Sequence, residues 1–94
     1  MIEVTPQQIS KEKQKARDLK KTQWWNRKIS PGICFYCKKE VGLKNLTLDH
    51  VLPLSMGGVS SKSNVEPCCL DCNQRKRDLS PLDWCLFLEK SSKQ

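Results

Sequence analysis

Four cysteines in two pairs, Cys34/Cys37 and Cys69/Cys72, carry the first recognisable chemistry in this chain. Four thiolates are what a tetrahedral structural zinc site uses, and each C-x2-C pair suits a turn or a helix start. The rival uses are a redox C-x-x-C, which normally stands singly in a thioredoxin-like βαβ context absent here, and disulfides, which a reducing compartment disfavours. Cys68 is an alternative to Cys69, at C-x3-C spacing from Cys72. The matched pair is preferred, which leaves Cys68 and Cys85 as small core residues.

The 31 residues between the pairs exceed a common zinc-ribbon spacing, so this insert must carry structure of its own. It holds His50, the only histidine in the chain, directly after Asp49. An imidazole that titrates near neutrality is a natural general base. A lone histidine is nonetheless more often a surface or structural residue. Taken singly, Asn64 and Asn73 read as a turn residue and a helix-start cap.

Their combined register changes that reading. Leu48-Asp49-His50-Val51-Leu52-Pro53-Leu54-Ser55-Met56-Gly57-Gly58, then Asn64-Val65, then Cys69-Leu70-Asp71-Cys72-Asn73-Gln74-Arg75-Lys76 resembles the HNH endonuclease family, with Trp24-Trp25 ahead of the first cysteine pair adding to the likeness. The resemblance implies a ββα-metal fold: a hairpin whose first strand delivers Asp49 and His50, an ordered loop, and a helix delivering Asn73. It implies His50 as the general base, Asp49 and Asn73 as ligands of one catalytic divalent ion, and Asn64 as the residue that holds the loop and helps orient the base. Oxygen ligands suit hard Mg2+ or Mn2+. The last motif position is Asn73 where the family name has histidine, an H-N-N variant that places more weight on Asp49, the only charged ligand. One geometric demand follows, since neighbours on a regular strand point to opposite faces and a twisted or bulged strand end is needed to bring Asp49 and His50 to one phosphate.

The elements that must position these residues are partly legible. Thr5-Pro6-Gln7-Gln8 reads as a capping box, opening a helix over 6–28 that Ser30-Pro31-Gly32 breaks. Its apolar residues Ile9, Ala16, Leu19, Trp24 and Trp25 are sparse, so docking is expected chiefly at the tryptophan end. Leu46 to His50 alternates as a strand, Val51 to Ser63 is mainly loop, and Asn64 to Cys68 is a second, edge-like strand because Pro67 cannot donate to a central ladder. A short helix starts near Cys69. Ser80-Pro81-Leu82-Asp83 caps a last helix over 81–90 with Leu82, Cys85 and Leu86 on one face and Trp84 and Leu88 nearby, before a tail, Ser91 to Gln94, that should fray.

The fold class expected is therefore small α+β: a ββα-metal fold with a structural zinc, a long N-terminal helix and a short C-terminal helix, the 94 residues forming one domain around a zinc-framed core over 33–77. Hydrophobic residues are 37% of the chain and aromatics 6%, too few for an ordinary core, so a staple is required. The first six residues carry a charge and a proline where a secretory signal needs an apolar run, and no stretch approaches the roughly 20 apolar residues of a membrane span. A cytoplasmic protein with no membrane partner is the expectation.

With 17 Lys+Arg against 10 Asp+Glu, the formal charge of +7 favours a polyanion. Between Lys11 and Lys28 stand eight basic and two acidic residues. Lys13, Arg17, Lys20 and Lys21 there, with Arg75, Lys76 and Arg77 after Asn73, are candidate nucleic-acid contacts, against the plainer readings of a solvated face and a helix C-terminus complementing its dipole. The reading is a one-metal DNA endonuclease acting on double-stranded or nicked DNA with little sequence preference. Its alternative is a non-catalytic zinc-stabilised nucleic-acid-binding module.

Overall fold

The computed structural model describes residues 3–77, 79 and 81–92. The capping box forms: the Gln8 backbone N–H donates to Thr5 Oγ1 at 3.2 Å and the Thr5 N–H donates to Gln8 Oε1 at 2.9 Å, opening α1 over Pro6–Lys20. The continuous helix expected to residue 28 is instead two helices, with α2 over Gln23–Ile29. Thr22 makes the break. Its hydroxyl donates to the Leu19 carbonyl at 2.7 Å and accepts from the Trp25 N–H at 3.2 Å, closing one helix and capping the next. At the far end the Gly32 N–H turns back to the Ile29 carbonyl at 2.8 Å.

Docking of α1 also differs from expectation. Trp25 is buried, but on α2; α1 itself seats along its middle, where Ile9, Glu12, Ala16 and Leu19 recur at helical spacing on the less exposed face. The core is correspondingly small: Ala16, Trp25, Cys34, Val65, Cys68 and Cys69 are its buried apolar residues among those described.

Beyond Gly32 the chain forms a cysteine knuckle, bridged at its base by Ile33 and Glu40, with Lys38 in the left-handed region at φ 63°. Strands β1, Leu46–His50, and β2, Val65–Cys69, then pair antiparallel as a two-stranded sheet, Leu46 opposite Cys69 and His50 opposite Val65. Pro67 costs the ladder nothing. Its carbonyl faces away from β1 and accepts from the Phe35 N–H of the knuckle at 2.9 Å, so the missing N–H lies on that same outer side.

Helix α3, Leu70–Arg77, follows β2 without a linker, and α4 spans Pro81–Ser92. The stripe of Leu82, Cys85 and Leu86 expected to pack is exposed, and Cys85 is not a core residue. Helical spacing defines a stripe but not its partner: it is Phe87 that meets the knuckle, its ring 6.1 Å from that of Tyr36. The expected Ser80 cap, the side chains of Trp84 and Leu88, and the end of the tail lie outside the described residues. No described helix is long and apolar enough to cross a membrane.

The loop between the strands is pinned by Asn64. Its side-chain oxygen accepts from the Leu52 N–H at 2.9 Å, while its amide nitrogen donates to the carbonyls of Leu52 and Val59 at 3.1 and 2.8 Å. A turn over Leu54–Met56 closes at Gly57, φ 90°. The next residue must also be glycine for want of space, since a Cβ at Gly58 would lie 1.8 Å from the Leu52 carbonyl oxygen. Gly58→Ala is therefore expected to lose at least about 1–3 kcal/mol through overpacking against rigid backbone. Urea unfolding of the metal-loaded chain checks this, and an unchanged midpoint would refute it.

Candidate functional site

The sulfur atoms of Cys34, Cys37, Cys69 and Cys72 lie within 4.8 Å of one another. A zinc ion bonded tetrahedrally at about 2.3 Å sets its sulfurs about 3.8 Å apart. Cys37 Sγ and Cys69 Sγ are 3.8 Å apart, so this donor set fits a structural metal such as zinc. Cys68 does not join the cluster; it is buried, and burial pushes its thiol up to about 12. Backbone N–H groups already aim at the sulfurs, Cys69 to Cys34 Sγ at 3.5 Å and Cys72 to Cys69 Sγ at 3.4 Å.

The thiols divide unequally. Burial opposes ionisation of Cys34, but N–H groups of Cys37, Cys69 and Tyr36 outweigh it and bring this thiol down to about 7. Burial raises Cys37, and burial together with bonding to the neighbouring sulfurs raises Cys72. Four thiolates so close need a cation among them, and a cation removes this asymmetry.

A cleft of about 460 Å³ is bordered by Asp49, His50, Met56, Asn73, Lys76 and Arg77. Asp49 and His50 come from the end of β1 and Asn73 from the first half of α3, one residue after Cys72. Asn64 sits one residue before β2 and touches the loop backbone rather than the imidazole.

Asp49 is 8% exposed. Its Oδ2 accepts from the Tyr36 hydroxyl at 2.6 Å and from Lys76 Nζ at 2.7 Å. Burial and this bond to a carboxylate push the Tyr36 phenol well above its usual range, so it remains a donor. The Lys76 ammonium also donates to the His50 carbonyl. Lys76, considered above as a phosphate contact, is thus turned inward with its side chain only 12% exposed.

The strand end is regular. Pairing continues one residue to one through His50, and the Val51 N–H still reaches the Asn64 carbonyl at 2.9 Å. The bulge asked for above is absent. The pleat sends Asp49 toward α3 and Tyr36, and His50 toward the loop, where Nε2 lies 2.7 Å from Ser60 Oγ. Both residues nonetheless border the cleft. Burial depresses the His50 pKa and Lys76 adds to this, against the opposing pull of Asp49 and Glu12; the balance favours the neutral imidazole.

The other candidates are at the surface. Lys13, Arg17, Lys20 and Lys21 are exposed on or beside α1, and Arg75 pairs with Asp71 at 3.0 Å in the open. Tyr36, Ser60 and Glu12 were not among the candidates. Tyr36 and Ser60 carry no sequence signal for a contact with residues 13 and 10 positions away. Lys76 did carry one, standing three residues beyond Asn73 and so on the same face of α3.

With this geometry in hand, a family model described as HNH endonuclease matches residues 34–81, just over half of the chain, and the chain belongs to that family. It carries a nuclease-type domain on a small α+β, ββα-metal framework. No curated protein matches the chain.

The purified chain is expected to contain one zinc per molecule by elemental analysis, and Cys72→Ser to lose both metal and cooperative unfolding. A metal-free chain that folds equally well would exclude the structural site.

Proposed function

We propose that this protein is a divalent-metal-dependent endonuclease that hydrolyses DNA phosphodiester bonds by a one-metal mechanism. The observation that carries the reading is the convergence of Asp49, His50 and Asn73 on one cleft from two separate elements. Asp49 and Asn73 would hold the ion through oxygen atoms, Mg2+ or Mn2+ by the hardness of those donors. Both described side-chain bonds to Asp49 fall on Oδ2, so Oδ1 would be the oxygen that meets a cation. When bound, the ion supplies positive charge to the phosphate and to the departing oxygen.

The chain's own residues do the rest. His50 accepts a proton from water, whose oxygen bonds to phosphorus as the bond to the 3'-oxygen breaks, leaving a 5'-phosphate. Asn64 holds the loop wall of the cleft. Tyr36 and Lys76 fix the Asp49 carboxylate, and Arg77, at the cleft border, faces the phosphate backbone. Exposed Lys13, Arg17, Lys20, Lys21 and Arg75 extend a basic surface for either side of the cut. Contacts of this kind bind any sequence and weaken steeply with salt, which suits double-stranded or nicked DNA read with little preference.

A second reading has two observations in its favour: the Lys76 ammonium already neutralises Asp49, and the regular end of β1 counts against the catalytic geometry. It would make the protein a zinc-stabilised nucleic-acid-binding module that needs no second metal. Supercoiled plasmid with Mg2+ or Mn2+ separates the two. The nuclease reading expects nicking that His50→Ala reduces by about 10²–10⁴-fold with zinc content and fold retained. Salt-sensitive binding without cutting under any divalent ion, or equal cutting by the variant, would favour the module.

A further inference from the structure

The imidazole of His50 has one described side-chain partner, and that partner is built into the structure from both sides. Ser60 is buried, 8% exposed, at the far end of the loop. The peptide unit joining Val59 to Ser60 is gripped at each end: its carbonyl accepts from Asn64 Nδ2 at 2.8 Å, and its N–H donates to Glu12 Oε1 of α1 at 2.6 Å. Glu12 is itself paired with Lys15 Nζ at 3.2 Å. The Ser60 hydroxyl then spans the remaining gap, donating to the Glu12 backbone carbonyl and lying 2.7 Å from His50 Nε2.

A serine hydroxyl has a single hydrogen. Spent on the Glu12 carbonyl, it leaves Oγ only as an acceptor toward the ring, so Nε2 must carry the imidazole proton. The lone pair of the neutral ring is then on Nδ1. A base that flips between tautomers presents the wrong nitrogen part of the time; a fixed hydrogen bond to the other nitrogen removes that loss.

We propose that Ser60 is a positioning residue that fixes the tautomer and ring orientation of His50, and that α1, through Glu12, holds Ser60 in place. Helix α1 lies outside the matched span of 34–81, yet it reaches the base through one residue. The effect on cleavage rests on the nuclease reading above; the effect on the ring does not.

Because His50 is the only histidine, a zinc-loaded full-length chain labelled with 15N-histidine gives one imidazole spin system. Long-range 1H–15N correlation should show a protonated Nε2 and an unprotonated Nδ1. Ser60→Ala, with zinc content and amide dispersion retained, is expected to shift the pair toward a mixture of tautomers and to slow nicking at least roughly tenfold, less than His50→Ala. Ser60→Thr restores the hydroxyl and should restore both readouts. Glu12→Ala removes the carboxylate that accepts from the Ser60 N–H and keeps the backbone carbonyl that accepts from the hydroxyl, so it loosens Ser60 without altering Ser60 or His50 and should move the ring signals in the same direction, by less than Ser60→Ala. A protonated Nδ1 in the native chain overturns the proposal, as do unchanged ring signals in both Ser60→Ala and Glu12→Ala. Ring signals that shift as stated in a chain that never nicks DNA uphold the positioning and sink the nuclease reading.

Discussion

Two segments 31 residues apart bring four sulfur atoms within 4.8 Å, and this cluster joins the knuckle to the junction of β2 and α3. Beyond the bonds from the Phe35 N–H to the Pro67 carbonyl, from the Tyr36 hydroxyl to Asp49 and from the Cys69 N–H to Cys34 Sγ, the described core contains few large apolar side chains; Val65 is the largest that is fully buried. Burial on that scale falls short of the ordering cost of a chain this size. Metal binding to such a cluster is folding free energy, on the order of 10–16 kcal/mol for small zinc peptides at neutral pH. The cluster lies where β2 passes into α3, so a metal bound there would both stabilise the molecule and set the helix that carries Asn73.

From that anchor the cleft follows by short steps. Tyr36 lies inside the knuckle loop, between Cys34 and Cys37, and reaches Asp49; Lys76 lies one turn along α3 from Cys72 and reaches the same oxygen. A buried carboxylate without partners would be costly, and removing one member of such a pair typically costs about 3–5 kcal/mol. The strand end is therefore held on one face by the knuckle and α3, the two elements that the cysteine cluster joins. On the other, Asn64 and Glu12 hold the loop that faces His50. The proposed base and the proposed metal ligand are neighbouring residues but belong to differently supported walls.

Much of this was legible because it is local. Thr5, Pro6 and Gln8 locate a helix start to the residue, C-x2-C spacing locates the knuckles, and Leu46 to His50 shows its alternation. Membership of the family could be read from the string running through Asp49-His50 to Asn73. What was not legible is set by contacts across the fold. Thr22 reads as one more helical residue until its hydroxyl is seen to serve Leu19 and Trp25 at once. Helix phase puts Lys76 on the face of Asn73, but that its partner there is the Asp49 carboxylate is not in the spacing. Ser60 gains its role only from Glu12, 48 positions earlier.

The central claim is that the cleft between β1 and α3 holds a catalytic divalent ion at Asp49 and Asn73. Titrating Mn2+ into the zinc-loaded, 15N-labelled chain tests it directly, because a paramagnetic ion broadens the amide signals nearest to it. The account predicts that residues 49–50 and 73 broaden first, and that Asp49→Asn abolishes the effect. Broadening centred elsewhere, or spread evenly over the surface, would contradict it.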